Sequence, residues 1–430
     1  MLLSAARDHG DIAYARLGPF DVYIVSHPDD IRDVLVTNNR SYMKGRGLQE
    51  SKRVLGEGLL TSEGEFHRMQ RRLIQPIFHH ARIDGFGEAM VADAVRLTDR
   101  WRNGETLNVH AEMMRLTMVI VGATLFGADV EGDAAGVGAA LADVLGMFQR
   151  VTNPFGPLLD RLPLPSTRRY ERAQATLDGV IDRLIVARRA EGATGTDLLS
   201  MLIAAQDEGS GIGMTDRQIR DEAMTLFLAG HETTAQLMTW TWYLLSRSAF
   251  VEARLHAELD QVLGGRLPTV ADIANLPYTG MVLSEVLRMY PPAYVLGRQA
   301  LEDVRIRGFD IPAGSTILMS PYVVHHDPRW YPEPFRFDPG RWSAEEMAAR
   351  PRTAYVPFGG GPRLCIGEGF AWMESKLLVA SIAQRWQLRV PPEHPVDLQP
   401  MVTLRPRGGM PARVERRTPR TALNASDRAG

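Results

Sequence analysis

The chain has 430 residues, 45% hydrophobic and 23% charged, which is close to the average for soluble globular proteins and points away from disorder or a bundle of membrane spans. A formal net charge of −2 gives no overall electrostatic reason to expect nucleic acid or an anionic membrane as a partner. Cys365 is the single cysteine, so no internal disulfide can form; that fits a reducing compartment and leaves one thiol that is either inert or reactive.

The opening MLLSAARDHGD lacks the basic start and long apolar stretch of a signal peptide. No apolar run reaches the roughly 18 residues a spanning helix needs, so a cytoplasmic protein without a membrane span is expected. Ile12 to Ser26 holds two β-prone runs broken at Gly18-Pro19, which predicts a hairpin, and Pro28 then opens a helix through Val36. From Phe66 to about Leu245 the apolar spacing is helical, with breaks at Asn103-Gly104, Asn153 to Pro165 and Asp207 to Gly213. A second helical stretch, Val251 to Tyr290, stops at Pro291-Pro292. Short β-like runs follow at Val304 to Ile306 and Thr316 to Met319, and helix returns after Gly367. The tail from Arg416 to Gly430 is polar, without periodicity, and is expected to be disordered.

Cys365 lies in a glycine-rich loop, Phe358-Gly-Gly-Gly-Pro-Arg-Leu-Cys-Ile-Gly367, that leads straight into the next helical pattern. A thiolate that ligates a metal must stay deprotonated. Backbone N–H groups from a tight turn at a helix N-terminus achieve that by hydrogen bonding to sulphur. The residues Phe358, Gly361, Arg363, Cys365 and Gly367 match the signature F-x-x-G-x-R-x-C-x-G of the cytochrome P-450 superfamily. Four given residues around one cysteine arise by chance on the order of once in tens of thousands of tries. The chain therefore resembles the soluble bacterial members of that superfamily. The resemblance implies a mainly α cytochrome P-450 fold with a small β-rich lobe. It implies one domain over 1–415, with β-rich parts at about 12–60 and 293–345.

The resemblance extends along the chain. Ala229-Gly230-His231-Glu232-Thr233-Thr234 sits inside a helical pattern, where a glycine costs about 1 kcal/mol relative to alanine. It resembles the family motif in which a locally opened helix makes room for dioxygen while a hydroxyl and a carboxylate deliver protons, which assigns Thr233 and Glu232 as catalytic. A mid-helix threonine can also simply bond back to a carbonyl. The order His-Glu-Thr-Thr-Ala is not H-E-x-x-H, so a zinc-protease site is excluded. Glu285 and Arg288, three apart on one helix face, resemble the family's E-x-x-R pair, completed by Arg341 of Phe337-Asp-Pro-Gly-Arg341-Trp342. That last segment departs from the usual P-E-R-F at Gly340 and Trp342, which leaves the outer contacts of the triad open.

By resemblance Cys365 is the axial ligand of haem b, its electron donation favouring O–O cleavage. Phe358 shields the sulphur, while Arg363, His67, Arg71 and Arg298 clamp the haem, arginine being suited to its carboxylates. His79-His80 and His325-His326 are expected to be loop or surface residues rather than metal ligands.

The implied activity is a haem-thiolate monooxygenase that oxidises a hydrophobic small molecule with dioxygen, a terpenoid ahead of a fatty acid or polyketide. Substrate contacts are expected near Arg46 to Leu60, Phe148 to Leu164, Leu226 to Ala229, Ala293 to Leu296 and Met401 to Thr403. The chain carries no nucleotide fingerprint and no iron–sulphur cysteine pattern, so electrons come from a ferredoxin or flavodoxin with its NAD(P)H reductase. Arg68, Arg71, Arg72, Arg350 and Arg352 form a candidate docking patch for that partner. A peroxide-using or rearranging haem-thiolate enzyme and a non-catalytic haem sensor are the competing functions.

Overall fold

The structure is a computed structural model that describes residues 2–127, 140, 143, 164–192, 195–206, 211 and 213–417. Most of the expected breaks at 153–165 and 207–213, and most of the substrate segment 148–164, lie outside them. The architecture is mainly helical with small β-sheets, as expected.

The helices that position the site are α1 (Gly64–Ile74), α2 (Gly87–Thr98), α3 (Val109–Phe126), α4 (Pro165–Ala190), α5 (Asp216–Arg247), α6 (Ala249–Leu263), α7 (Pro277–Met289) and α8 (Glu368–Ala383). Helix α5 is buried on nearly every side, the mark of a central helix. Its start is set by a capping box: the Thr215 hydroxyl accepts the Gln218 N–H at 3.3 Å while the Gln218 side chain accepts the Thr215 N–H at 2.7 Å. Helices α3 and α8 pack against it from two sides.

Contrary to the expectation from the sequence, α3 is long and apolar enough to cross a membrane by length and composition. Its apolar surface is taken up by the core instead, with 61% of its 18 residues buried inside the protein. The expected stretch 251–290 is also two helices rather than one. Gly264 and Gly265 adopt φ of +57° and +91°, a left-handed stop that only glycine enters without strain, and Pro277 restarts the chain as the first residue of α7.

The main sheet has five strands in the order β1-β2-β5-β4-β3, with β1 (Ile12–Leu17), β2 (Phe20–Val25), β3 (Tyr42–Lys44), β4 (Leu296–Ala300) and β5 (Thr316–Met319). The β1–β2 hairpin forms as expected, and β2 runs parallel to β5, so two segments almost 300 residues apart become neighbours. Strands at Thr106–Asn108, Trp386–Arg389 and Pro411–Arg416 form a further sheet outside the expected β regions. Arg416, expected to begin the tail, instead ends a strand, and the Arg417 guanidinium donates to Asp260 at 2.5 Å. The rest of the tail, 418–430, lies outside the described residues.

Candidate haem-thiolate site

The Cys365 loop is closed on itself and braced from outside. The Cys365 N–H donates to the Phe358 carbonyl at 3.0 Å, and the Leu364 N–H to that of Gly361 at 3.0 Å. Gly361 has φ of +64°, and a Cβ there would overlap the Leu35 carbonyl, so the motif glycine is required by both backbone shape and space. The Phe358 ring lies against Trp372, centroids 5.9 Å apart. By surface area Cys365 is exposed, yet protein walls it closely enough that burial dominates and pushes its thiol up. The Gly367 N–H at the start of α8 acts the other way and favours the thiolate, as do the charges of Arg71 and Lys44.

A group of cations gathers beside this loop. Arg71 donates to the Leu364 carbonyl at 2.8 Å. Arg363 donates to the Ser62 carbonyl at 2.7 Å and pairs with Glu63. Among the described residues, buried Arg298 finds only the carbonyl of its neighbour Gly297, at 3.0 Å, and burial together with Arg363 lowers its pKa to about 10. His67 is buried, and burial with the charges of Arg363, Lys44 and Arg71 lowers it to about 3, so it is a neutral imidazole at neutral pH.

Lys44 completes the group and was missed in the sequence, although it is one of only three lysines in an arginine-biased chain. It is buried, directly opposite Arg298 in the β3–β4 ladder, and burial followed by the charges of Arg298 and Arg363 lowers it to about 7. Among the described residues the carboxylate that organises these groups, Glu63, is already engaged. It accepts the Lys44 backbone N–H at 2.6 Å and pairs with Arg363.

On α5 the helix continues unbroken through Gly230, so the expected local opening is not a break. The Thr233 hydroxyl donates to the Ala229 carbonyl at 2.6 Å, a bond that competes with the helix ladder. Gly230 also serves packing, because a Cβ would lie 3.2 Å from Val121 on α3. Ala229 is exposed and Gly230 and Thr233 are half-buried, in the middle of a helix whose residues there are otherwise mostly buried. Glu232 points elsewhere: consecutive helix residues face different directions, and its carboxylate accepts the Thr403 hydroxyl at 2.7 Å. The two motif side chains are therefore not brought into contact.

Behind the loop, Glu285 and Arg288 on α7 are wholly buried and doubly bonded, at 2.8 and 2.9 Å. Arg341 lies 3.5 Å from Glu285. The departure at Trp342 is compensated, since its indole N–H donates to Glu285 at 3.0 Å. Arg288 also ties down the carbonyls of His325 and Pro334, at 2.7 and 2.8 Å.

Two expectations are corrected here. His325 and His326 are not surface residues but are buried. The Val356 N–H donates to His325 Nε2 at 3.0 Å, so Nδ1 carries the proton toward the Arg288 carbonyl, and burial holds the ring neutral. Arg350 is drawn out of the docking patch. It stacks over Tyr331 and Trp342, 4.7 and 5.0 Å from the ring centres, and donates to the Arg341 carbonyl. Arg352, His79 and His80 are exposed. Arg68, Arg71 and Arg72 line a groove of about 700 Å³ with His79, Arg82 and Pro362.

Residues 2–411 match the Cytochrome P450 family. Cyclooctatin synthase of Streptomyces melanosporofaciens is 43% identical over 407 residues, covering 94% of this chain and 88% of that protein. Pentalenene oxygenase of Streptomyces avermitilis is 36% identical over 402 residues, covering 93% of this chain and 88% of that protein. Among solved structures, the heme domain of cytochrome P450DA superposes with a TM-score of 0.88 at 27% identity, over 96% of this chain and 92% of that one. The chain belongs to the cytochrome P450 family. It is a monooxygenase of that family, whose members work with a haem iron, an organic substrate, dioxygen and a redox partner.

The residues present fit such a group. A thiol at a helix N-terminus supplies a soft axial donor. Buried Arg298, and buried Lys44 with its pKa lowered to about 7, have no carboxylate in ion-pair contact among the described residues, so an added carboxylate beside them would favour their charged forms.

Proposed function

We propose that this enzyme hydroxylates or otherwise oxidises a hydrophobic terpenoid, ahead of a fatty acid or polyketide. The observation that carries the substrate class is the likeness, over nine-tenths of the chain, to proteins named for cyclooctatin, cyclooctat-9-en-7-ol and pentalenene. The chain's own chemistry agrees: Leu226, Ala293 and Leu296 are incompletely packed apolar residues in the segments expected at the substrate.

The cofactor is haem b, which supplies oxygen activation when bound. Cys365 would hold its iron through sulphur, and Phe358 with Trp372 would keep water from that sulphur. Lys44, Arg71, Arg298 and Arg363 would face its carboxylates, while His67, being neutral, would donate an N–H. Thr233 holds a proton beside the exposed Ala229 backbone, and Glu232 exchanges protons with it through an intervening carrier, since the two side chains do not touch. Glu285, Arg288 and Arg341 hold the segments behind the Cys365 loop in place.

Electrons come from a ferredoxin or flavodoxin with its NAD(P)H reductase, in the bacterial cytoplasm. The groove lined by Arg68, Arg72, Arg82 and His79 beside Pro362 is the docking surface for that acidic partner.

The test is the reduced, carbon monoxide-bound spectrum of wild type and Cys365→Ala, followed by turnover of pentalenene with a ferredoxin system. A strongly red-shifted band that the variant loses, together with hydroxylated product, is expected. A histidine-type spectrum in folded wild type overturns the ligand. A thiolate spectrum without oxidation of any terpenoid in a panel overturns the substrate class.

A further inference from the structure

Thr403 lies 171 positions from Glu232, yet the two side chains are joined at 2.7 Å and both are only 3% exposed. The hydroxyl comes from the tip of a hairpin whose arms, Leu398–Pro400 and Leu404–Pro406, pair Pro400 with Leu404. The tip is held rigidly. The Tyr294 hydroxyl donates to the Met401 carbonyl at 3.0 Å, the Leu404 N–H to Pro292 at 3.0 Å, and the Trp240 indole N–H to Leu404 at 3.0 Å. Tyr290 stacks on that indole, centroids 4.2 Å apart. On such a support the Thr403 hydroxyl is placed to donate to Glu232.

We propose that Thr403 is a positioning residue for proton delivery, holding the Glu232 carboxylate toward the hairpin and in its proton-accepting form. The inference rests on Glu232 being a proton-relay group, as assigned above. Buried carboxylates normally keep their proton, and burial does raise Glu232. The Thr403 hydroxyl opposes that rise, and Arg405 on the adjoining strand adds a favourable charge. The histidines on the two packed helices α3 and α5, His110 and His231, are neutral. His110 on α3 is lowered to about 4 by burial and Arg405, and its ring Nε2 lies 3.1 Å from the Gln236 amide. His231, also lowered to about 4 by burial, faces the Met114 carbonyl at 3.1 Å. Thr403 is thus the one neutral donor aimed at the carboxylate among the described residues, and losing it leaves the relay protonated over a wider pH range.

The test compares Thr403→Val, which keeps the shape and removes the donor, with Thr403→Ser, which keeps the donor. Glu232 is titrated in the resting haem-loaded protein by infrared difference spectroscopy, its carboxyl band assigned with Glu232→Gln. The midpoint is expected to rise in Thr403→Val and to stay in place in Thr403→Ser. The pH profile for coupling electron supply to product, measured with pentalenene, should move the same way in Thr403→Val only. An unmoved infrared midpoint in folded Thr403→Val overturns the inference, as does an equal displacement in Thr403→Ser. A midpoint that moves while the coupling profile does not would leave Glu232 positioned by Thr403 but outside the relay, which sinks the proton-relay assignment instead. The infrared measurement needs no substrate, so failure of pentalenene turnover bears on the substrate class alone.

Discussion

Lys44 and Arg298 stand directly opposite each other in the β3–β4 ladder, two basic side chains on one face of a sheet and both 8% exposed. Like charges so placed destabilise a sheet by up to about 1 kcal/mol unless an anion lies between them. Lys44→Met should therefore leave the haem-free protein as stable as wild type or up to about 1 kcal/mol more so, while the loaded protein loses haem faster. Urea unfolding without haem, and the rate of haem transfer to an apo-globin acceptor, check the two halves. Unchanged transfer would remove Lys44 from the clamp.

Trp342 occupies a place where the family motif has phenylalanine, and its indole N–H is one of the donors that satisfy the wholly buried Glu285. Restoring the family residue by Trp342→Phe should destabilise this protein by about 1–3 kcal/mol, because a buried carboxylate loses a donor. Arg288→Leu should cost more, about 3–5 kcal/mol, by stranding the Glu285 charge. Urea unfolding of the loaded protein ranks the two; equal stability of Trp342→Phe and wild type contradicts the compensation.

Gly359 and Gly361 both adopt positive φ, +76° and +64°, but a Cβ on Gly359 would meet the Arg363 carbonyl at an ordinary 3.9 Å, whereas one on Gly361 would overlap the Leu35 carbonyl. Gly359→Ala should cost about 1 kcal/mol of conformational strain and keep the haem. Gly361→Ala should displace the loop and yield protein without the thiolate spectrum. Matching haem content in the two variants would show that the Leu35 contact yields easily.

Glu222 on α5 is wholly buried, accepting the Leu59 N–H at 3.0 Å, and burial pushes it up to about 8. Unfolded, it releases its proton near pH ~4.3. Between these values unfolding releases a proton, so its contribution is complete below pH ~4.3 and is lost as pH rises toward about 8. Glu222→Gln, neutral throughout, should gain on wild type by one to a few kcal/mol (order of magnitude) between pH 5 and 8. Parallel urea-unfolding curves across that range would assign the pH dependence to groups other than Glu222.

The amino-acid sequence by itself determined what is contiguous. The Cys365 loop and the helix that follows it lie within a short span. Glu285 and Arg288 share a helix face because 3.6 residues make a turn, and the β1–β2 hairpin needs only its own turn. Each of these could be read without knowing any distant neighbour.

Only the tertiary structure decided what depends on register between distant segments. It placed Lys44 opposite Arg298, closed Leu35 over Gly361, buried His325 beneath Arg288, drew Arg350 onto Tyr331 and joined Thr403 to Glu232. It also showed α3, apolar enough for a membrane, as a core helix against α5. The reason is physical: a side chain's type limits the contacts it can make, but which contact it makes is set by the packing of the whole core, and no local pattern encodes that.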